Sequence, residues 1–460
     1  MKFLPIFNRA RQSTLLKAIL VSGLVSSTTM AASQDVTRLG KDLTPVGAQK
    51  SANAAGTIPA WSGGLTNALP GWPNKSNYRP NPHSDDKVMF TIDAANMNKY
   101  ANKLPEAAKA LFKAYPEQFK MNVYPSRRTA AFPQAYYDGI KANAKNAKLI
   151  DGGNGIEGAW GGIPFPMPAS GIEAIWNHLV RYQGYSRQGS YNEDVVYDNG
   201  SRLQWDGNSV IHSPFHDPNA NSKDQTAGIL SKWAYTATAP ARDAGEGAVV
   251  FDNISPAINP RKAWSYDPAQ RRVRRSPNLT FDTPDRPVSV VDDTEMFSGS
   301  PEKYNWKLVG KREMYIPYNN NEVNSPLANR KEVYPPGYVN SEVLRYELHR
   351  VWIVEADLKE GQRHLYAKRR FYLDEDTWNI IVSDKYDAGG SLWRASFGFP
   401  TVAPEIPLTG SGSTVHIDFK INAYFATGHT TGQGAEGQSF NQPPKKNSYY
   451  TVSALRRRGR

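Results

Sequence analysis

Residues 344–358 read LRYELHRVWIVEADL. Alternate positions are Leu344, Tyr346, Leu348, Arg350, Trp352, Val354, Ala356 and Leu358, apolar or aromatic except for Arg350. A period of two places all of them on one face of a β-strand. The same rhythm recurs on both sides. Residues 262–267 and 271–275 flank the turn-like DPAQ at 267–270, and 364–373 and 378–387 flank DEDT at 374–377. Residues 391–399 follow a Gly-Gly pair. In 415–425, Val415, Ile417, Phe419, Ile421, Ala423 and Phe425 alternate with His416, Asp418, Lys420, Asn422 and Tyr424. Short joints between such runs predict an antiparallel meander with one apolar face per strand.

Helical periodicity lies before these strands, not between them. Residues 92–119 show apolar side chains at three- and four-residue spacing, and Pro116 ends the pattern. A second helix is expected from Gly171 to about Tyr182, because Ser170 and Glu173 have capping-box spacing ahead of Ile172, Ile175, Trp176 and Leu179. Helices before strands predict an α+β fold and not a parallel doubly wound sheet. The layout is one elaborated domain over 33–460. It comprises an irregular, Pro-rich arm (33–90) pinned by Trp61 and Trp72, a mainly helical and loop region (91–185), the antiparallel sheet (186–430) and a basic tail (431–460).

The first 32 residues stand apart. Lys2, Arg9, Arg11 and Lys17 precede a short apolar run from Ala18 to Val25 and a small-residue exit at Ala31-Ala32. This pattern predicts a cleaved secretory signal, since the apolar run is too short to span a bilayer. An exported, periplasmic protein follows. The chain carries 55 Lys+Arg against 43 Asp+Glu, a formal charge of +12, and removal of the signal's four basic residues leaves +8. The absence of cysteine excludes thiolate nucleophiles, zinc-thiolate centres, disulfides and a lipid anchor on this chain.

Catalytic signatures are weak. The G-x-G-x-x-G stretches at 153–158 and 432–437 run into prolines instead of helices, so they predict turns and not dinucleotide sites. His212 and His216 flank Pro214 in what reads as a surface loop, and Asp374-Glu375-Asp376 reads as a solvated turn. There is no G-x-x-x-x-G-K and no G-x-S-x-G. No catalytic residue, metal or cofactor is assigned.

Basic clusters remain: Arg271, Arg272, Arg274 and Arg275; Lys368, Arg369 and Arg370; and Arg456, Arg457 and Arg458. Nucleic acid is no partner for an exported chain. A solvated surface stays open beside transient contact with anionic headgroups or an acidic partner. Arg350 and Arg369 fall on the apolar parity of their strands, so each needs a carboxylate or a ligand headgroup.

Several long stretches carry a resemblance: VYPSRR (123–128), GIPFP (162–166) with IWNH (175–178), WSYDPAQRRVRR (264–275), EMYIPY (313–318), RYELHR (345–350) and YAKRRF (366–371). With these, the chain resembles a proteobacterial family of uncharacterised periplasmic proteins related to outer-membrane lipoprotein-sorting proteins, the LolA/LolB-like carriers. The resemblance implies a strongly curved antiparallel sheet forming a half-open β-barrel covered by helices. It also implies partners: an inner-membrane transporter of the resistance–nodulation–division type and an outer-membrane protein. It brings no catalytic residues.

A period-two sheet with large apolar residues on one face can enclose a greasy ligand. The expected lining is Leu348, Trp352, Leu365, Phe371, Ile417, Phe419 and Ile421. The function so implied is a non-enzymatic periplasmic carrier of a lipid, a lipoprotein acyl chain or a similar hydrophobic molecule between the inner and outer membranes. The alternatives are an accessory or scaffold subunit of an envelope transport complex, and an envelope hydrolase of a lipid-like or polyester substrate.

Overall fold

A computed structural model describes residues 35–69, 72, 79–277, 279–433 and 437–459. The expected signal, residues 1–32, lies outside the described residues, as does part of the glycine stretch at 432–437.

The N-terminal third contributes short strands β1 (Phe90–Ile92) and β2 (Met121–Val123) and helices α1 (Glu106–Ala114) and α2 (Gln134–Asn146). The small pair β3 (Lys148–Ile150) and β4 (Gly155–Glu157) and helix α3 (Gly171–Leu179) complete it. A first meander follows: β5 (Ser186–Tyr197), β6 (Arg202–His212), β7 (Ile229–Ala239), β8 (Gly247–Asn253), β9 (Lys262–Asp267) and β10 (Arg272–Arg275), with the single-turn helix α4 (Ser222–Thr226) before β7. A detached pair, β11 (Pro284–Arg286) and β12 (Ser289–Val290), leads into β13 (Tyr304–Pro317) and the one-turn helix α5 (Arg330–Val333). The second meander is β14 (Tyr346–Leu358), β15 (Lys368–Asp374), β16 (Ile380–Tyr386), β17 (Leu392–Ala403), β18 (Leu408–Asp418) and β19 (Ala423–His429). Strand β20 (Ser439–Phe440) and helix α6 (Val452–Arg458) close the chain.

The two meanders fuse into one sheet because β19 pairs with β5, giving the order β1-β2-β14-β15-β16-β17-β18-β19-β5-β6-β7-β8-β9-β10. Strand β13 lies along β14 and β20 along β5, both antiparallel. The path does not return on itself, so β1 and β10 are its edges. The fold is mostly sheet, with helices packed against it.

Local chemistry explains the helices. The Ser170 hydroxyl accepts the Glu173 N–H, and the Glu173 carboxylate accepts the Ala169 N–H, so α3 starts where expected and buries Ala174, Ile175 and Trp176. Helix α1 has no side-chain cap of its own. Its Ala107 N–H donates 2.9 Å to Asp384, a buried carboxylate on β16 beneath it. Helix α6 lies across β8, β9 and β10, with Leu455 packed against Tyr266 and Val249, so residues 452–458 dock on the sheet.

Several expectations need correction. Residues 92–119 are not continuously helical: Ile92 closes strand β1, Met97–Lys103 is a 3-10 turn, and only α1 is α-helical. Residues 415–425 are a hairpin and not one strand. The Asp418 carboxylate accepts the Lys420 and Ile421 N–H groups, and Asn422 has φ +49°, so the chain reverses between β18 and β19. The rule of one apolar face per strand fails in the second meander. Strand β14 is buried on both faces over most of its length, as are β16 and the middle of β17. Arm, helices and loops cover the side that water was expected to meet.

His212 and His216 do not lie in a surface loop. His212 is buried and pairs with Asp217 at 2.9 Å, and His216 is half-buried with Nε2 2.9 Å from the Val180 carbonyl. The acidic turn at 374–376 is not solvated either. All three acids are at most 2% exposed, covered by the arm at residues 46–59.

Candidate functional site

The C-terminal end of α3, strands β6–β8 and the irregular segments at 256–261 and 277–302 enclose a cavity of about 240 Å³. Strand alternation supplies one wall. Ile211 on β6 lies opposite Trp233 on β7, and Leu230 extends the same surface. Trp176 and Leu179 of α3 form a second wall, and Phe281, Phe297 and prolines 256, 260 and 277 a third.

One charged motif is set into this apolar lining. The Glu295 carboxylate accepts from Arg181 at 2.8 Å and from Arg187 at 2.7 Å. Burial raises the Glu295 pKa, but Arg187 and Arg181 outweigh it and hold the group at about 2. Burial pushes Arg181 down to about 10 against the pull of Glu295. The backbone places Glu295 in the left-handed region, φ +56°, and its carbonyl lies 3.0 Å from His178 Nε2. His178 Nδ1 lies 3.1 Å from both the Ile380 backbone nitrogen and the Trp378 carbonyl, and Arg181 Nη1 approaches Nε2 at 3.3 Å. Burial, reinforced by Arg181, drives His178 well below its ordinary pKa, so it is a neutral brace. Arg187 also faces the Trp233 ring at 5.8 Å, and Arg261 pairs with Asp252 at 2.6 Å at the other end of the cavity. The site therefore offers greasy walls and paired, fixed dipoles.

The structure brings none of the seven expected lining residues to this cavity. Leu348 and Ile417 join the main core under α1, with Phe419 half-buried against it. Phe371 and Trp352 belong to the second core, where the Phe371 ring lies 5.7 Å from Phe297, one ring behind the cavity wall. Leu365 and Ile421 are 39% and 45% exposed. Arg350 donates 2.8 Å to Glu375. Arg369 is fully buried and donates to Asp292 at 2.9 Å and Asp293 at 2.8 Å. Of the neighbouring cluster, Lys368 and Arg370 both pair with Glu355. Arg271, Arg272, Arg274 and Arg275 lie at the β9–β10 hairpin, and Arg456 and Arg457 are exposed on α6. The Arg458 side chain donates to the Tyr449 carbonyl.

Two buried clusters have the residue types of metal or nucleophile chemistry. His349, Asp374 and Asp376 place one ligand-type atom each within 4.8 Å of one another. Arg128 occupies both oxygens of Asp376, at 2.8 and 2.6 Å, while Arg350 and Lys311 take Glu375. Burial, then the charge of Asp376, raises Asp374 to about 7. The turn is thereby neutralised by side-chain cations and ties the N-terminal arm to the sheet: Arg128 also donates to the Lys50 and Pro59 carbonyls, and Arg350 to those of Gln49 and Ser51.

The second cluster is a hydrogen-bonded row. Lys385 donates to Ser396 at 2.7 Å, and Ser396 lies 2.7 Å from His416 Nδ1. All three are at most 2% exposed and none lines a described cavity, so the Ser–His pair has no surface on which to meet a substrate.

Sequence reasoning missed the cavity residues. Ile211 and Trp233 had a usable signal, since each sits in an alternating strand. Glu295, Phe281 and Phe297 lie in irregular segments with no periodicity to mark them.

Residues 91–456 match the family model described as protein of unknown function DUF1329. An uncharacterised protein of Pseudomonas aeruginosa is 37% identical over 449 residues, 96% of this chain and 97% of that one. Among solved structures, a putative outer membrane lipoprotein-sorting protein domain from Vibrio parahaemolyticus is 12% identical, covers 62% of this chain and 98% of its own, and has a TM-score of 0.43. A DUF1329 family protein from Desulfovibrio piger is 14% identical over 59% of this chain and 92% of its own, with a TM-score of 0.39. A LolA superfamily protein from Nitrosomonas europaea is 9% identical over 62% and 99%, with a TM-score of 0.37.

Proposed function

The chain belongs to the DUF1329 family, and on that premise we propose that it is a periplasmic, non-enzymatic binding and carrier protein for a small hydrophobic or amphiphilic molecule. The observation that carries this reading is the cavity between α3 and β6–β8, with aromatic and aliphatic walls around the Arg181–Glu295–Arg187 motif. Its volume of about 240 Å³ falls below the ~300–1,000 Å³ of common ligand pockets. One acyl chain or a compact ring system suits it. The multiple acyl chains of a lipoprotein anchor do not. Each buried methylene would contribute roughly 0.8 kcal/mol before the cost of association. In this reading β5–β10 is one wall of a half-open barrel closed by α3, and the loaded protein passes its ligand between an inner-membrane transporter of the resistance–nodulation–division type and the outer membrane.

The test is uptake of a fluorescent fatty acid by the purified mature chain, with organic extraction and mass spectrometry of what co-purifies. Leu230→Trp fills the cavity from a half-buried position. It is expected to weaken probe binding at least tenfold with an unchanged unfolding midpoint. Equal binding by the filled variant would sink the proposal.

A further inference from the structure

Buried arginines on and against the sheet are held by carboxylates, as at Arg350, Arg369 and Arg394 on its strands and Arg128 in the segment after β2. One edge is different. Strand β10 ends the strand path, and Arg271, Arg272, Arg274 and Arg275 on and before it are all exposed. Helix α6 crosses β8–β10 and adds exposed Arg456 and Arg457, from a segment far away in sequence. Among the described residues, none of these six arginines forms an ion pair with a carboxylate. Arg274 donates to the Gln270 side chain within the same hairpin. Residues 262–275 and 445–459 together hold ten basic residues and one acid, Asp267, whose Oδ1 already accepts the Ala269 and Gln270 N–H groups. The β7–β8 turn carries two further acids, Asp243, which takes Trp205 and Arg242, and Glu246.

An arginine row can merely protect an edge strand from pairing with another chain. Two observations go beyond that role. Arg272 and Arg274 share one face of β10 and Arg275 lies on the other, beside α6, so charge wraps around the edge and continues onto a helix. Exposed Val452 and half-buried Trp264 and Tyr449 lie within this charge, the amphiphilic mixture that settles at a bilayer interface. The same strand then runs directly into Pro277, Thr280 and Phe281, which line the cavity.

We propose that the β10 edge and α6 form a docking surface for an anionic phospholipid bilayer. A field of unpaired, exposed cations without a shaped pocket suits a headgroup plane, which offers diffuse negative charge and demands no fixed register. Docking there presents the cavity wall that follows β10 to the membrane. That consequence rests on the carrier reading, whereas the docking itself does not.

The test is flotation of the mature chain with vesicles of phosphatidylglycerol and phosphatidylcholine, against vesicles of phosphatidylcholine alone. Binding is expected with the anionic vesicles, falling steeply as salt is added. At roughly fivefold per cation, R272Q/R274Q/R456Q/R457Q should lower the partition coefficient by several hundredfold. Its far-ultraviolet circular dichroism and unfolding midpoint should match those of the native chain. No binding to anionic vesicles at low salt overturns the proposal, as does equal binding by the fourfold variant. Retention on immobilised polyglutamate without vesicle binding overturns it in favour of an acidic protein partner. Leu230→Trp should float like the native chain, so failure of the cavity reading leaves this result intact.

Discussion

Arg369→Met is the sharpest probe of how the sheet is held. The guanidinium is 0% exposed, bonded to Asp292 and Asp293 and faced by the Tyr366, Phe297 and Phe371 rings at 5.1, 5.2 and 5.3 Å. Methionine keeps much of the packing and removes the charge. Asp293 retains Lys385 at 2.7 Å, and among the described residues the side-chain partner left to Asp292 is His364 at 3.0 Å. Breaking a buried pair from one side costs about 3–5 kcal/mol, a large part of the ~5–15 kcal/mol that holds a typical domain folded.

The loss carries a pH signature. In the native chain burial raises both aspartates, but Lys385 and Arg369 at Asp293, and Arg369 and His364 at Asp292, outweigh it and depress them. A depressed carboxylate contributes stability fully above its unfolded pKa of ~3.9 and loses it as pH falls through the folded value. Without Arg369, burial prevails at Asp292 and its folded pKa rises above the unfolded one. Its contribution is then complete only below about pH 4 and is lost as pH rises. Urea unfolding of R369M should therefore show a deficit larger at pH 8 than at pH 5, and D292N in the same background should recover part of it. A deficit under about 1 kcal/mol, or one identical at both pH values, would refute the reasoning.

Two further perturbations follow from the same structure. Gly47 has φ +89°, and a Cβ there would stand 1.9 Å from the Pro166 carbonyl oxygen. Gly47→Ala should cost roughly 2 kcal/mol or more and admit protease to the arm at 46–59, read as faster native-state cleavage; unchanged cleavage would count against close seating of the arm. Burial raises Asp384 to about 7, despite its bonds from Tyr372 and the Ala107 N–H. Its stabilising protonation is thus complete below pH ~4 and lost as pH climbs through about 7. Asp384→Asn should be more stable relative to the native chain at pH 8 than at pH 5 in denaturant titrations, and a pH-independent difference would be inconsistent with that account.

The second meander was legible because its strands alternate and its joints are short. The strand read at 344–358 runs from Tyr346 to Leu358, and in the first meander the pair 262–267 and 271–275 is found within one residue. The hairpin at 415–425 was hidden because its turn continues the alternation through Phe419 and Ile421, and only the Asp418 side chain marks the reversal. Helix α2 was missed because its buried face is Tyr136, Ile140 and Asn143, a thin apolar stripe in a polar segment. The partners of Arg369 could be demanded by parity but not named, since Asp292 and Asp293 come from an irregular segment more than 70 residues earlier. Burial of the 374–376 turn depends on an arm over 300 residues away, as with Gln49 and Arg350. The cavity was illegible for the same reason. Its walls come from a helix, three strands and two loops, and no local pattern reports their convergence.

The pairing of β19 with β5 also sets a timetable. Asp194 on β5 meets His429 on β19 across 235 residues of chain, and this joint unites the two halves of the sheet. A chain delivered N-terminus first exposes one side of β5 until its last long strand arrives. Each half can zip up quickly by neighbouring hairpins, but the halves must then find each other at a large loop-closure cost. The step expected to be slow is therefore the meeting of these two strands. Whatever holds the unfinished edge of β5 apart from other chains during that wait governs how much of the protein reaches its native state.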